Sequence, residues 1–296
     1  MVTTMSLLTV IVRLMRLLIT NDDGINAPGI QALTRAISQW VSIDPKKRSA
    51  IVVAPSTNHS GMSSAVGDIF ENPQIKYERR VIEGAENIPA YALEAAPALC
   101  TIIGGVGYLG ERPTMVVSGI NAGANVGRSV LHSGTVGAIL TGAQLGMSGL
   151  AVSVQWDEKI THYETAAKIA IEVLDQYYDA PARTLLNLNV PNLAAGELRG
   201  VRRGRISNAG IIKATRSEDS SFVLGDSGAI PLRFGAATPQ LGDVSDEQAD
   251  EDGALVVAGY ASLTPIRGPQ EETDMSVDDL MRSSLDAIER HLHAHR

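Results

Sequence analysis

Short apolar runs alternate with stretches of helical spacing along the first two-thirds of the chain. The apolar runs have the length and composition of strands buried on both faces, and they lie at residues 16–20, 50–54, 113–118, 150–154 and 184–190. Helical patterns lie between them, at residues 29–40, 98–106, 136–145 and 163–178. This alternation implies right-handed parallel crossovers, so we predict an α/β fold with a Rossmann-like, doubly wound, mainly parallel sheet of about five strands.

The last third of the chain has a different character. Residues 196–252 are rich in Gly, Ser and Asp and show little periodicity, so we predict a divergent C-terminal β arm there. Residues 254–266 are predicted as one more strand, and residues 65–81 as irregular strands or a hairpin. A capping pattern and an apolar stripe predict a terminal helix within residues 271–296, which docks on its own core or on a partner subunit.

Residues 1–14 precede the first predicted strand and are mostly apolar. They are too short and too interrupted for a membrane helix, and they lack the basic region and cleavage site of a signal peptide. We therefore expect no membrane association, and our hypothesis is that Met15 is the true start of translation. On this interpretation residues 15–270 form a single α/β domain that includes the arm.

Composition narrows the range of partners. The net charge of −8 and the aromatic content of 4% argue against a broad binding face or stacking platform for long nucleic acids. They are compatible with a small anionic substrate that a metal ion holds. The single cysteine, Cys100, excludes a disulfide framework and favours a cytoplasmic location.

Two adjacent carboxylates, Asp22 and Asp23, follow the first predicted strand directly. In an open α/β sheet, ligands bind at the carboxyl ends of the strands, and two neighbouring carboxylates there repel each other and favour a bound cation. Hard oxygen ligands suit Mg²⁺ or Mn²⁺ better than zinc. The alternative is an ordinary turn, because Asp and Gly are common turn residues.

Two further loops are expected at the same edge of the sheet. Asn58, His59 and Ser60 follow the second predicted strand, and a glycine-rich stretch at residues 119–138 follows the strand predicted at residues 113–118. Glycines before an apolar helix can cradle a phosphate, because backbone N–H groups and the helix N-terminus then face the anion. Thr135 can cap that helix or donate to a phosphate. The alternatives are an ordinary polar loop and a glycine-rich linker.

Together the three loops supply oxygen ligands with room for water and a phosphate. The candidate ligands of one divalent cation are Asp22, Asp23, Ser60 and Asn121. A cation held in this way polarises a phosphoryl oxygen and lowers the pKa of a bound water, which is a phosphomonoesterase design without a protein nucleophile. His59 or His132 can stabilise the phosphate charge or protonate the leaving oxygen, and the alternative is that both are bystanders.

In these segments the chain resembles the SurE family, the survival-protein-E 5′/3′-nucleotidases. The matching segments are residues 18–30, 52–61, 117–127, 133–136 and 187–191 and, more weakly, 259–265. The resemblance implies a Rossmann-like fold and hydrolysis of nucleoside monophosphates. It also implies a homodimer or homotetramer that assembles through C-terminal elements.

The resemblance also implies roles for particular residues. It places one divalent metal ion on Asp22, Asp23, Ser60 and Asn121, of which the two aspartates and Asn121 are the expected catalytic residues. The residues that we expect to contact substrate or phosphate are Asn21, His59, Gly123, Asn125, Ser133, Gly134 and Thr135.

The chain departs from the family pattern at several positions outside the candidate metal ligands. Leu99 stands where the family usually has a carboxylate, and Ser129 and His132 stand where it has Asp and Tyr. A different enzyme class, the haloacid-dehalogenase-type phosphatases, needs an Asp-x-Asp motif that the adjacent aspartates do not provide. The non-enzymatic alternative is a nucleotide-binding regulator with a degenerate site.

Overall fold

The structure is a computed structural model of the 296-residue chain. It describes residues 14–71, 73–159, 162–208, 212–216, 232–236 and 248–269, together with Arg282. The chain divides into two units at Ile266, and the strands and helices named here belong to the first unit. The predicted terminal helix, except Arg282, and the predicted N-terminal extension, except Leu14, fall outside the described residues.

Strands and helices alternate through this part of the chain. The strands are β1 (Met15–Thr20), β2 (Arg48–Pro55), β3 (Tyr77–Arg80), β4 (Ala90–Leu93), β5 (Met115–Ala122), β6 (Ser148–Val154), β7 (Leu185–Val190), β8 (Val201–Arg203), β9 (Ile212–Arg216), β10 (Leu232–Ala236) and β11 (Ala261–Ile266). The helices are α1 (Pro28–Ile43), α2 (Pro97–Gly105), α3 (Gly134–Gln144), α4 (Tyr163–Gln176) and α5 (Asp252–Val257), with 3₁₀ turns at Arg128–His132, Tyr177–Asp179 and Ala195–Glu197. No helix in the described ranges is long and apolar enough to cross a membrane.

Within the described residues, nine strands form one sheet in the order β3-β4-β2-β1-β5-β6-β7-β11-β8. The strands from β4 to β7 in this order are all parallel. The outer strands complete the sheet, with β3 antiparallel to β4, β11 antiparallel to β7 and β8 parallel to β11. The predicted Rossmann-like, mainly parallel α/β fold is therefore confirmed. The arm contributes a separate antiparallel pair, β9 and β10.

Helices cover both faces of the sheet. On one face α1 packs against α4 over a core that includes Ile19, Leu33 and Leu188. On the other face α2 packs against α3 over a core that includes Leu18 and Val116. Successive side chains of β1 enter opposite cores because side chains alternate along a strand. Burial on both faces explains why these strands appear in the sequence as uninterrupted apolar runs.

Some local predictions were wrong. Residues 254–257 belong to helix α5 and not to a strand, and β11 begins only at Ala261. Short apolar runs carry no periodicity that separates a buried strand from a buried helix. Between 65 and 81, the described residues are extended only in β3, which forms a hairpin with the unpredicted strand β4. β4 has four residues, which is too few for a pattern.

Candidate active site

Segments that follow three neighbouring strands meet at the carboxyl edge of the sheet. β2, β1 and β5 are adjacent in the sheet, so these segments lie side by side. A cavity of about 210 Å³ opens there, and the predicted site residues in its lining are Asp22, Ser60, Asn121, Asn125 and Ser133. His132 and Ser129 also line it. Small and polar side chains dominate this lining, which suits a compact anion better than an apolar ligand.

Asp22 lies just beyond β1, and only 3% of its surface is exposed. The Thr135 hydroxyl donates a hydrogen bond of 2.7 Å to Asp22 Oδ1, and the backbone N–H groups of Thr135 and Gly134 also donate to this carboxylate. Burial raises the pKa of Asp22 above its ordinary value, although these hydrogen bonds offset part of the effect. The first turn of α3 therefore holds the Asp22 side chain.

Gly134 allows this close approach between α3 and Asp22. A Cβ atom at position 134 would lie 2.8 Å from Asp22 Cβ and 2.9 Å from its Oδ2. Real Cβ atoms do not come this close to other heavy atoms. A larger residue at 134 would therefore displace either the helix or the carboxylate.

Asp23 is held from β5 and from the loop after β2. The backbone N–H of Ala122 donates to Asp23 Oδ2 over 3.1 Å, and the Ser60 side chain also forms a hydrogen bond with Asp23. Burial, and to a smaller extent the negative charge of Asp22, raises the pKa of Asp23. None of the ion pairs found among the described residues includes Asp22 or Asp23. The two carboxylates therefore form an acidic site suited to a cation.

Asn121 and Ser60 add neutral oxygen atoms to this acidic site. The Asn121 Nδ2 group donates to Gly123 O over 2.6 Å, so its own loop uses the amide nitrogen. The amide oxygen is the atom of this side chain that can bind a cation. The backbone N–H of Ser60 donates to Asn58 Oδ1 over 2.7 Å, which stabilises the loop that carries the Ser60 hydroxyl.

The donor chemistry of the site fits a hard cation. Among the described residues, no group of three or more His, Cys, Asp or Glu side chains could hold a metal ion. A cation beside Asp22 and Asp23 would therefore complete its coordination with neutral oxygens and water. Such oxygen coordination suits Mg²⁺ or Mn²⁺, whereas zinc prefers histidine and cysteine.

Strand β5 continues farther than the sequence analysis predicted. It runs to Ala122, whereas the apolar run ends near residue 118. Gly119 has a φ of +140°, and a Cβ atom there would lie 2.2 Å from Val152 O. Only glycine permits this conformation and this approach, so the strand carries Asn121 to the sheet edge.

The cap of helix α3 is Ser133. Its Oγ accepts a hydrogen bond of 3.1 Å from the backbone N–H of Val136. The Thr135 hydroxyl instead donates its hydrogen bond to Asp22. The alternative in which Thr135 caps the helix is wrong, because the helix begins at Gly134. The N-terminus of α3 nevertheless lies at the cavity, where its partial positive charge favours an anion.

The His59 ring lies outside the cavity lining. Its Nδ1 is 3.2 Å from Met62 Sδ, and its Nε2 is 3.4 Å from Thr57 Oγ1. The backbone of His59 is nevertheless close to the carboxylates, because its N–H donates to Asp22 O over 2.7 Å. The structure therefore brings His132, and not the His59 ring, to the cavity.

Asn21 and Gly123 also lie outside the lining. Each donates a hydrogen bond to a backbone carbonyl near the site. Asn21 is fully buried, and its Nδ2 donates to Gly24 O over 2.8 Å. Its Oδ1 has no hydrogen-bond partner among the residues that the structure describes. The N–H of Gly123 donates to Val154 O over 3.0 Å, which ties the loop after β5 to β6.

Several side chains near the site were not identified as site residues from the sequence, and three of them contact the backbone of residues 125–127. These three are Asn187 and Asn189 of β7 and Asp252 of α5. The local signals for the two asparagines were the Asn-x-Asn spacing, which places both side chains on one face of a strand, and the resemblance of residues 187–191 to the SurE pattern. Nothing in the sequence near Asp252 indicates which distant backbone group it binds.

A parallel α/β sheet with paired carboxylates and a helix N-terminus at its carboxyl edge defines a Rossmann-like protein with an acidic, anion-accepting site. Comparison with protein-family models identifies the family within this class. The chain belongs to the SurE family, because the family model described as survival protein SurE matches residues 17–212.

Individual relatives agree with this assignment over most of their length. The chain is 34% identical over 280 residues to a 5′/3′-nucleotidase SurE of Cronobacter sakazakii, covering 94% of this chain and 96% of the relative. It is 35% identical over 279 residues to a 5′-nucleotidase SurE of Deinococcus radiodurans, covering 92% of each. A crystal structure of the SurE protein from Aquifex aeolicus superposes with a TM-score of 0.68 at 26% identity, covering 90% of this chain and 98% of that one.

Proposed function

We propose that this protein is a metal-dependent phosphomonoesterase that hydrolyses nucleoside 5′- or 3′-monophosphates to a nucleoside and phosphate. The observation that carries the proposal is the carboxylate pair of buried Asp22 and half-buried Asp23 beside a polar cavity at the N-terminus of a helix. The names of the relatives, 5′/3′-nucleotidase and 5′-nucleotidase, support a nucleotide as the substrate.

The proposed cofactor is one divalent cation per subunit, Mg²⁺ or Mn²⁺. The residues that would hold it are Asp22, Asp23, Ser60 and Asn121, of which both aspartates and Asn121 are the proposed catalytic residues. When bound, the cation supplies Lewis-acid polarisation of a phosphoryl oxygen and lowers the pKa of a bound water.

The chain's own groups bind and orient the phosphate. Asn125 and Ser133 line the cavity and are proposed to donate hydrogen bonds to phosphate oxygens. Gly134 and Thr135 hold the Asp22 carboxylate through the first turn of α3. The N-terminus of that helix stabilises negative charge on the phosphate.

The remaining proposed residues act at the edges of the site. Asn21 and Gly123 keep the segments after β1 and β5 in place through their backbone contacts. His132 lines the cavity, so it is better placed than His59 to protonate the leaving oxygen. A role for His59 in phosphate binding requires its ring to leave the contact with Met62.

The test of this proposal is phosphate release from a panel of nucleoside 5′- and 3′-monophosphates, measured in parallel with Mg²⁺, Mn²⁺ and EDTA. We expect release that depends on the metal and is lost in Asp22→Asn. The matched control is Asp44→Asn, which removes a carboxylate at the C-terminal end of α1. Asp44→Asn should retain the activity of the wild-type protein.

Two results would contradict the proposal. Nucleotide binding without turnover in any metal would favour the non-catalytic regulatory protein with a degenerate site. A trapped phospho-aspartate would instead indicate an aspartyl nucleophile, as in haloacid-dehalogenase-type phosphatases. Direct attack by water leaves no such adduct.

The same proposal includes assembly and location. We expect a homodimer or homotetramer with contacts from residues 271–296, and a cytoplasmic protein that binds neither membrane nor long nucleic acid. Light scattering of the full chain and of a chain that ends at residue 270 compares the two masses. An identical number of subunits for both would exclude the terminal segment as the main subunit contact.

A further inference from the structure

The segment Asn125–Gly127 connects two parts of the cavity wall. Asn125 itself lines the cavity, and Gly127 directly precedes the 3₁₀ turn Arg128–His132. That turn and the following Ser133 supply another part of the lining through Ser129, His132 and Ser133. The position of this part of the wall therefore depends on how the backbone of residues 125–127 is held.

Side chains of β7 hold the backbone of Asn125. Asn189 Oδ1 accepts the Asn125 N–H over 2.7 Å, and the Asn125 carbonyl accepts from Asn189 Nδ2 at 3.0 Å and from Asn187 Nδ2 at 2.8 Å. Asn187 and Asn189 are fully buried. Two amide side chains thus replace the hydrogen bonds that a neighbouring strand would form with this residue.

The Asn125 side chain is oriented by a separate contact. Its Nδ2 donates to Ser153 Oγ over 2.9 Å, and Ser153 is fully buried in β6. Asn125 is therefore restrained at its N–H, its carbonyl and its side chain by three residues of two adjacent strands. Hydrogen bonds that fix both the backbone and the side chain of one residue are typical of a residue that must bind a ligand in one orientation.

Asp252 holds the other end of the segment. The Gly127 N–H donates to both carboxylate oxygens of Asp252, at 3.1 Å and 3.0 Å, and the Ser207 N–H donates over 3.3 Å. Asp252 is fully buried, and Val126 packs against Gly253, the next residue of α5. The start of α5 thus anchors the loop that leads to His132 and Ser133.

We propose that Asn187, Asn189, Ser153 and Asp252 are positioning residues that fix the backbone of residues 125–127 and thereby orient Asn125 towards the phosphate. The inference rests on the proposed phosphatase function, since it assigns these residues to the same cavity. They do not touch the substrate, and they act through Asn125 and the turn that follows Gly127. Asn187 and Asn189 of β7 are thus strand residues that also position a side chain of the site.

The variants that test this inference are Ser153→Ala, Asn189→Ala and Asp252→Asn. Ser153→Ala is the mildest, because it removes one hydroxyl and leaves the strand intact. The matched control is Ser38→Ala, which removes a buried hydroxyl in α1 whose partner is Asn87, away from the cavity. All variants are first checked for folding by circular dichroism and thermal unfolding.

Three measurements separate positioning from a general loss of stability. We expect the variants to lower kcat/KM for a nucleoside monophosphate about 10- to 100-fold and to weaken inhibition by inorganic phosphate. The affinity for Mn²⁺ should stay within about twofold, because the proposed metal ligands are elsewhere. Hydrogen exchange should accelerate in peptides that cover residues 123–130, while peptides from β1 and β2 remain protected.

The outcomes distinguish this inference from the function on which it rests. If the folded variants keep wild-type phosphate inhibition and wild-type exchange at residues 123–130, the inference is wrong. It is also wrong if Ser38→Ala lowers kcat/KM as much as Ser153→Ala does. If the wild-type protein itself releases no phosphate, the proposed function fails, and the exchange data and phosphate binding still decide whether the segment is held as described.

Discussion

The Thr135 hydroxyl donates a 2.7 Å hydrogen bond to Asp22 Oδ1 and so joins the first turn of α3 to the end of β1. The two residues are 113 positions apart in the chain. Both are almost completely buried, so water cannot replace the hydrogen bond if it is removed. This contact sets the orientation of the more buried of the two carboxylates that we propose as metal ligands.

Substitution of Thr135 by Val tests that contact, since Val has nearly the same shape and no hydroxyl. A hydrogen bond to a charged group contributes about 1.5–3 kcal/mol, so we expect Mn²⁺ affinity to fall about 10- to 100-fold. Titration of the apo protein with Mn²⁺ measures this change. Thr135→Ser retains the hydroxyl and should remain close to wild type. Equal affinities in the Val and Ser variants would show that the hydroxyl does not orient Asp22.

The space at Gly134 gives a second prediction. In Gly134→Ala the new Cβ atom would lie 2.9 Å from Asp22 Oδ2, so either α3 or the carboxylate must move. We expect a loss of phosphatase activity of about 100-fold, because displacements of about 1 Å have effects of that size. Gly196→Ala is the control, since nothing lies within 4 Å of a Cβ atom there. Normal turnover by a folded Gly134→Ala variant would contradict the described contact.

Metal binding should also stabilise the folded protein. At a Mn²⁺ concentration about 100 times the Kd, binding to the native state alone adds about 2.7 kcal/mol to the free energy of unfolding. For a domain of this size that corresponds to an increase in Tm of about 5–10 °C. Thermal unfolding with Mn²⁺ and then with excess EDTA measures the increase and its reversal. Asp22→Ala should show neither, and a full shift in that variant would place the metal elsewhere.

The buried Asp252 predicts a specific pH dependence of stability. Burial raises the pKa of Asp252 above its ordinary value of 3.8, while hydrogen bonds from Gly127, Gly253 and Ser207 lower it in part and the charge of Glu251 raises it. A carboxyl group whose folded-state pKa is raised destabilises the protein once it ionises. Stability is therefore lost as pH rises from 3.8 to the folded-state pKa, and regained as pH falls back towards 3.8.

The difference in the free energy of unfolding between wild type and Asp252→Asn isolates this effect from all other carboxylates. The wild type should become more stable relative to Asp252→Asn as pH is lowered from about 7 to about 4. Urea unfolding at a series of pH values measures the difference. A change in the opposite direction would mean that the hydrogen bonds outweigh burial and that the pKa of Asp252 is lowered.

Cys100 should be chemically inert in the native protein. It is the only cysteine in the chain, it is fully buried in α2, and burial raises the pKa of its thiol. The thiolate is the reactive form, so an aromatic disulfide reagent should detect no thiol in the folded protein and one thiol after denaturation. The labelling rate should follow global unfolding. Rapid labelling of the native protein would contradict the described packing of α2.

Much of the site could be predicted from the sequence because its first elements are local. Asp22 and Asp23 directly follow an apolar run, and parallel strands place the loops after them at one edge of the sheet. The same reasoning placed Ser60 and Asn121 in that region, and the structure brings both into the cavity lining with Asp22. Only the parallel direction of the strands was needed for this prediction.

The role of Thr135 shows where local reasoning fails. From the sequence, Thr135 is the candidate cap for α3, whereas the structure uses Ser133, although both residues have a suitable side chain. The choice depends on Asp22, which lies on another element and binds the Thr135 hydroxyl. A local pattern cannot include an acceptor that folding brings from 113 residues away.

The framework of the protein is encoded locally in its amino-acid sequence: buried strands, covering helices, and carboxylates at the strand ends. Burial on two faces and chain direction act over a few residues, so they leave a readable pattern. Tertiary packing, by contrast, selects the side chains that hold Asn125 and Gly127, because Asn187, Asn189 and Asp252 meet them only after the sheet has formed. Hydrogen bonds between distant elements depend on the packed arrangement, and that arrangement has no local signature in the chain.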